Sequence, residues 1–177
     1  VYERIVTKLE DVFAMSVLPM KAEAGKEGRI TLAMAYMLYT EAVMYKKDEA
    51  RYGKALGLMK EIISSEKYSL VADFGSIWEE SGEWCPESIW EINYTSVAGV
   101  RSWDSPIATG GQVNSVLTGI PAIKKSKDYQ EGWGFGPVRK SAYEMYDDTD
   151  IRRDGGILNF AAYAAETGAS YTPRWED

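Results

Sequence analysis

The stretch Gly28–Val71, GRITLAMAYMLYTEAVMYKKDEARYGKALGLMKEIISSEKYSLV, decides the fold. It reads as two helices folded back on each other. Over Ile30–Tyr45 the apolar residues Leu32, Ala35, Tyr36, Tyr39, Ala42 and Val43 recur at helical spacing and fall on one face. Over Glu49–Ser64 the residues Tyr52, Ala55, Leu56, Met59, Ile62 and Ile63 do the same. Only Lys46-Lys47-Asp48 separates the two runs, and so short a link makes the helices antiparallel neighbours. Asp48 stands where an N-cap is needed, and Glu49 sits at the positive end of the second helix dipole.

The first helix carries a second apolar stripe of Met34, Met37, Leu38, Met44 and Tyr45. A helix that is apolar on most sides is buried on most sides, so this one calls for partners beyond its hairpin mate. A unit of a stacked helical-hairpin array has that character. The Tyr52-x-x-Ala55-Leu56 opening of the second helix is close to a tetratricopeptide unit. An ordinary helical hairpin in a globular core gives the same spacing, and the pattern alone leaves both open.

Outward from the hairpin, Val1–Leu18 reads as a third helix with Val1, Ile5, Leu9, Val12 and Phe13 on its inner face, closed by Pro19. Met20–Glu27 is a polar connector. Phe74–Glu80 reads as a short helix around Ile77 and Trp78, followed by a turn-rich loop over Ser81–Pro86. Ser88–Thr95 alternates like a strand, with Trp90, Ile92 and Tyr94 on one face and Trp90 as a core residue. Ser96–Gly132 is irregular, and a connection of that length rich in aromatic and amide groups marks a functional segment. Pro137 suits the first turn of a last helix to Asp147, with Val138, Ala142, Met145 and Tyr146 as its apolar face. The end, Leu158–Asp177, gives mixed signals and no assigned element. The fold class is therefore mainly α: tetratricopeptide-like hairpins plus an irregular, loop-rich region with short strands. One domain is expected, with a helical hairpin region over 1–70, a loop and strand region bearing the ligand site over 71–136, and a helix with the C-terminal segment over 137–177.

Composition narrows the chemistry. The chain has 177 residues, 45% of them apolar, and a net charge of −7, enough for a domain with a proper core. The acidic balance and the lack of a basic patch argue against nucleic acid as a partner. No apolar run approaches the length of a membrane span. Val1 starts in mid-pattern, so a piece of a longer protein is expected. The single cysteine, Cys85, excludes an internal disulfide and a cysteine metal cluster. There is no histidine, which removes the commonest general base and excludes serine–histidine and cysteine–histidine nucleophile systems within the chain. No cofactor is implied.

The carboxylates Glu79, Glu80, Glu83 and Glu87 cluster around Trp84. A glycosidase needs two carboxylates flanking one bond, one of them kept protonated, and nothing in the sequence marks either condition. Asp147–Gly155 resembles a calcium loop only at a glance, because Arg152 occupies a ligand position; a helix end with paired Asp and Arg is the better reading. Gly132-Trp133-Gly134-Phe135-Gly136 lacks the spacing of a phosphate cradle. The loop aromatics remain. A protein holds a sugar by laying an aromatic ring on its apolar face and hydrogen-bonding the hydroxyls at its rim. Trp103 has Arg101 and Asp104 beside it and Gln112 and Asn114 further along, with Tyr129 beyond. The candidate ligand-binding residues are accordingly Trp103, Arg101, Asp104, Asn114, Tyr129 and Trp84; packing of Trp103 onto the core is the competing reading.

Three segments carry a resemblance to a known family. Gly28-Arg29 opens an Ala-rich helix, followed by Tyr52-x-x-Ala55 and by Ile62-Ile63-x-x-x-Lys67-Tyr68-x-Leu70. Glu87-Ser88-Ile89-Trp90-Glu91-Ile92 comes next, then Gly132-Trp133-Gly134-Phe135, Pro137, Tyr143 and Asp150-x-Arg152. In this order and spacing they resemble the SusD/RagB family. The resemblance implies a mostly helical fold with tetratricopeptide-like hairpins and no catalysis. It implies a lipoprotein on the surface of the outer membrane of Gram-negative bacteria, binding an oligosaccharide and delivering it to a SusC-like TonB-dependent transporter. Members are much longer than this chain, so a central fragment is expected, with the lipid anchor, the first helices and the C-terminal hairpins outside it. Trp133 belongs to the recurring Gly-Trp-Gly-Phe piece, which favours a structural role for it. Two other functions fit the residues: a helical scaffold that binds a partner peptide, and, ranked last, a carboxylate-dependent glycoside hydrolase relying on Glu83 or Glu87.

Overall fold

Residues 1–94 and 114–172 are described by a computed structural model of the chain. They fall into two compact units, Val1–Ala72 with Glu79–Ile92, and Asp73–Trp78 with Asn93–Asp177.

The first unit is built on three helices: α1 (Tyr2–Met15), α2 (Leu32–Lys46) and α3 (Tyr52–Ser64). The hairpin forms as its sequence predicts. Its core shows the antiparallel course directly: late in α2, Tyr39 and Val43 pack with Ala55 at the start of α3, and early in α2, Ala33 and Tyr36 pack with Ile62 near its end. Thr31 caps α2, its hydroxyl accepting from Met34 N–H at 3.2 Å. That contact satisfies one of the donors a helix start leaves orphaned. Lys47 closes α2 in the left-handed region. The second helix begins with a 3₁₀ turn over Glu49–Arg51. Asp48 precedes it, but makes no side-chain cap; its carboxylate accepts from Tyr2 Oη at 2.8 Å and pairs with Arg51.

Helical faces are rotated from the predicted ones in two places. On α1 the stripe that packs is Tyr2, Val6, Leu9 and Phe13, with Val6 fully buried; Val1 and Ile5 are exposed. The 4-3-4 spacing of that stripe keeps one face, and it brings the Tyr2 hydroxyl to Asp48. On α3, Leu58 packs inward whereas Leu56 and Ile63 are exposed. Of the second stripe of α2, Met34 is half-buried, whereas Met37, Leu38 and Met44 are exposed and Tyr45 is 92% exposed.

Polar groups tie the three helices at the rim of this core. Tyr39 Oη donates to Glu10 Oε1 at 3.0 Å, and Lys54 Nζ reaches the same oxygen at 2.7 Å. Tyr36 Oη donates to Glu61 Oε1 at 3.1 Å. Burial, with the neighbouring carboxylate adding to it, pushes each of these two phenols up to about 12. The ring of Phe13 stands edge-on to both, at 5.0 and 5.6 Å.

The segment after α3 stays on this unit through its backbone. Ser69 N–H donates to Pro86 O at 3.2 Å, and Val71 N–H to Glu87 Oε2 at 3.0 Å. The strand predicted over Ser88–Thr95 is absent over its described part, 88–94. The alternation is real, but Ile89 is the residue that joins the core, and Trp90, Ile92 and Tyr94 are exposed. Among the described residues no ladder of backbone hydrogen bonds pairs 88–94 with a second extended segment, which a strand requires.

The second unit holds the short helices α4 (Asn114–Thr118), α5 (Lys140–Tyr143), α6 (Ile151–Gly156) and α7 (Phe160–Thr167). Between α4 and α5 lie two short parallel strands, β1 (Ile120–Pro121) and β2 (Glu131–Gly132), in register Ile120 to Glu131 and Pro121 to Gly132. The expected Phe74–Glu80 helix is a 3₁₀ turn over Gly75–Trp78, packed against α6 with Gly75 against Gly155. The helix expected from Pro137 to Asp147 shrinks to α5, leaving Val138 and Met145 exposed. The Asp-rich run that follows competes for the backbone: Asp147 accepts from Thr149 N–H at 2.9 Å, and Asp150 caps α6 through Arg152 N–H at 3.0 Å. That run therefore starts a helix rather than ending one. Its Asp–Arg pairing is present, joining Asp150 to Arg152 and Asp148 and Asp154 to Arg153.

Candidate functional site

The surroundings of Tyr129 are built from tight backbone contacts. Beside the end of α4, Trp133 N–H donates to Val116 O at 2.7 Å, Phe135 N–H to Leu117 O at 2.8 Å and Gly134 N–H to Gly119 O at 2.9 Å. The segment just after β2 thereby satisfies carbonyls that the end of a helix leaves open. Glycine is required twice in this approach. A Cβ on Gly132 would fall 2.4 Å from Gly119 Cα, and Gly134 has φ +69° with Pro121 Cγ 2.4 Å from where its Cβ would be. The Gly-Trp-Gly-Phe piece thus has a backbone reason for both of its glycines. Its rings, Trp133 and Phe135, stand edge to face at 6.0 Å and stay part-exposed.

A second clasp lies just downstream. Lys124 and Ser170 exchange backbone hydrogen bonds at 2.8 and 3.1 Å, with Ile123 and Ala169 buried beside them. The clasp joins the Lys124–Tyr129 segment to the chain just after α7. Ser126 Oγ accepts from Tyr129 N–H at 3.0 Å and lies 2.8 Å from Tyr163 Oη; Tyr163 Oη donates to Asp128 Oδ2 at 3.0 Å. The Tyr129 ring stands edge-on to Tyr163 at 5.1 Å and remains 42% exposed. α7 presents Tyr163 here because Asn159 caps its start through Ala162 N–H at 3.2 Å and Gly168 ends it in the left-handed region.

Of the predicted ligand residues, Arg101, Trp103 and Asp104, with Gln112, lie outside the described residues. Asn114 is exposed at the first position of α4. Tyr129 is placed as above. Trp84 belongs to the first unit, half-buried, with left-handed φ of 55° and its N–H donating to Glu91 Oε1 at 2.8 Å. Sequence reasoning passed over Ser126, Asp128, Tyr163 and Tyr171. For Tyr163 the signal was the unassigned Asn159-to-Gly168 segment, whose capping residues were legible.

The arrangement suits binding better than bond cleavage. Exposed aromatic surface, a hydroxyl and a carboxylate acceptor stand together around Tyr129, as a sugar requires. Glu87 and Glu91 are both engaged with backbone amides of the first unit. Among the described residues no group of His, Cys, Asp and Glu side chains is placed to hold a metal ion. Asp150 is held down at about 2 chiefly by the Arg152 guanidinium, which fits an ion pair rather than a cation site. Among them, too, no helix is long and apolar enough to cross a membrane.

A helical hairpin together with a loop-rich region defines a mainly helical, tetratricopeptide-like fold. The chain matches no family model, and no curated protein matches it. Solved structures do match. Surface glycan-binding protein A from Bacteroides thetaiotaomicron, in complex with laminarihexaose, is 45% identical with a TM-score of 0.84, over 99% of this chain and 39% of that one. Surface glycan-binding protein A from Bacteroides fluxus is 35% identical with a TM-score of 0.85, over 99% of this chain and 37% of that one. A laminarin-binding SusD-like protein shares the fold at a TM-score of 0.80 and 24% identity, again over 99% of this chain and 39% of that one. The chain belongs to the SusD-like family, and it spans 37–39% of the length of these three structures.

Proposed function

We propose that the chain is part of a surface glycan-binding protein that holds an oligosaccharide for uptake. The observation that carries this reading is its 45% identity, over 99% of its length, to a glycan-binding protein in complex with laminarihexaose. Glucan oligosaccharides of that type are the first ligands to expect. Trp103 is the sugar platform, Arg101, Asp104 and Asn114 bond the hydroxyls at its rim, and Tyr129 adds aromatic surface; Trp84, in the first unit, is a separate candidate contact. The protein sits on the outer membrane through a lipid anchor outside this chain and passes its ligand to a SusC-like TonB-dependent transporter. It does no chemistry on the sugar, in keeping with a chain that has no histidine.

The test is calorimetric titration of the chain and of Trp103→Ala with a panel of plant, host and starch oligosaccharides that includes laminarihexaose. Saturable binding that is lost in a folded Trp103→Ala supports the reading and locates the platform. Binding that survives keeps the function and moves the site to Tyr129 or Trp84.

One observation favours a second reading. The uncovered stripe of Met37, Leu38, Met44 and Tyr45 on α2 suits a scaffold that docks another polypeptide. Deleting residues 96–113 separates the two: a scaffold keeps its partner, whereas a glycan-binding protein loses its sugar.

A further inference from the structure

The rings behind Tyr129 form a continuous row. Tyr129 meets Tyr163 at 5.1 Å, Tyr163 meets Phe160 at 5.7 Å, and Phe160 meets Tyr171 at 4.2 Å. The two inner rings are half-buried, whereas the two end rings, Tyr129 and Tyr171, are each 42% exposed. Three elements supply the row: the 126–129 loop, α7 and the segment after Gly168. They are fixed to one another by the Lys124–Ser170 clasp and by Thr172 N–H donating to Pro121 O at 3.3 Å. Polar groups stand along it, because Asp128 and Ser126 both bond the Tyr163 hydroxyl. Exposed rings, hydroxyls and a carboxylate on a braced frame are the components of a carbohydrate subsite, and bracing lowers the ordering cost of binding.

We propose that Tyr129 and Tyr171 are the two ring platforms of one oligosaccharide subsite, with Asp128 accepting from sugar hydroxyls and Tyr163 positioning both Asp128 and Tyr129. The subsite rests on the glycan-binding reading and adds Asp128, Tyr163 and Tyr171 to it. Two separated platforms select for chain length: an oligosaccharide engages both rings, and a disaccharide engages one. Tyr171 is therefore a residue of length selectivity.

The experiment is calorimetric titration of the full chain with laminarihexaose and with laminaribiose, for the wild type, Tyr171→Ala and Tyr163→Phe. Loss of one ring platform is expected to raise the laminarihexaose Kd of Tyr171→Ala about tenfold while moving that of laminaribiose less than about twofold. Tyr163→Phe keeps the ring row and drops the hydrogen bonds, so it weakens both ligands alike. Should Tyr171→Ala misfold, Tyr171→Leu preserves the apolar contact with Phe160 and takes its place. A folded Tyr171 variant whose laminarihexaose Kd stays within about twofold of wild type overturns the subsite and leaves the glycan-binding reading standing. A folded wild type that binds neither sugar, nor any other of the panel, overturns both.

Discussion

Replacing Tyr39 probes the first unit at the point where its three helices meet. The residue is fully buried in α2, packed with Val6 of α1 and Ala55 of α3, and its hydroxyl donates to Glu10 at 3.0 Å. Tyr39→Phe removes only that hydrogen bond. A bond to a charged acceptor contributes about 1.5–3 kcal/mol, and Glu10 keeps Lys54 at 2.7 Å, so the loss belongs near the lower figure. Tyr39→Ala removes the ring as well and leaves a cavity, at a cost of about 3–5 kcal/mol. That is a large part of the stability of an ordinary domain, about 5–15 kcal/mol in all. Urea unfolding followed by far-ultraviolet circular dichroism measures both, with the m-value as the check that the same surface is exposed. A double-mutant cycle with Glu10→Ala isolates the hydrogen bond: in that background Tyr39→Phe is expected to be nearly neutral. If Tyr39→Ala costs less than about 1 kcal/mol at an unchanged m-value, the ring is not at the centre of this core and the packing argument fails.

Alkali gives an independent view of the same core. The Tyr36 and Tyr39 phenols are pushed up to about 12, so the folded state favours their neutral form. That contribution is whole below the unfolded value near pH 10 and is lost as pH rises through about 12. Tyrosinate absorbance is expected to show these two among the last of the 12 tyrosines to ionise, with the urea midpoint falling over the same window. A single titration step near pH 10 in a chain that stays folded contradicts it. In the second unit, Gly132→Ala forces a Cβ to within 2.4 Å of Gly119 Cα and costs at least about 2 kcal/mol, read by Trp fluorescence during unfolding. Asn159→Ala removes the cap of α7 and costs about 1 kcal/mol, read as faster hydrogen exchange confined to that helix.

The hairpin was legible because its apolar residues recur on matched faces across a link too short for any other course. What spacing could not supply was the rotation of each face. Ile5 and Val6 are adjacent and both β-branched, and the face that buries Val6 is the one that also brings Tyr2 to Asp48, a tertiary contact that spacing does not show. Trp90 misled for a related reason: alternation names two faces, and the core took the one with Ile89. The helix α7 was missed although Asn159 and Gly168 bracket it, because its Ala-rich interior carries little amphipathic signal. Family membership was legible in motif order. Of the candidate site, Tyr129 stands out by residue type, whereas Tyr163, which its ring meets, and Tyr171, which joins the row through Phe160, lie over thirty residues away.

The most direct test of the account is calorimetric titration of the folded wild-type chain with laminarihexaose, with glucose as the control. The account predicts saturable binding of laminarihexaose and none of the monosaccharide at the same concentration. A folded chain that releases no heat of binding with laminarihexaose or any other oligosaccharide of the panel, and shows no protection from thermal unfolding by them, would contradict it.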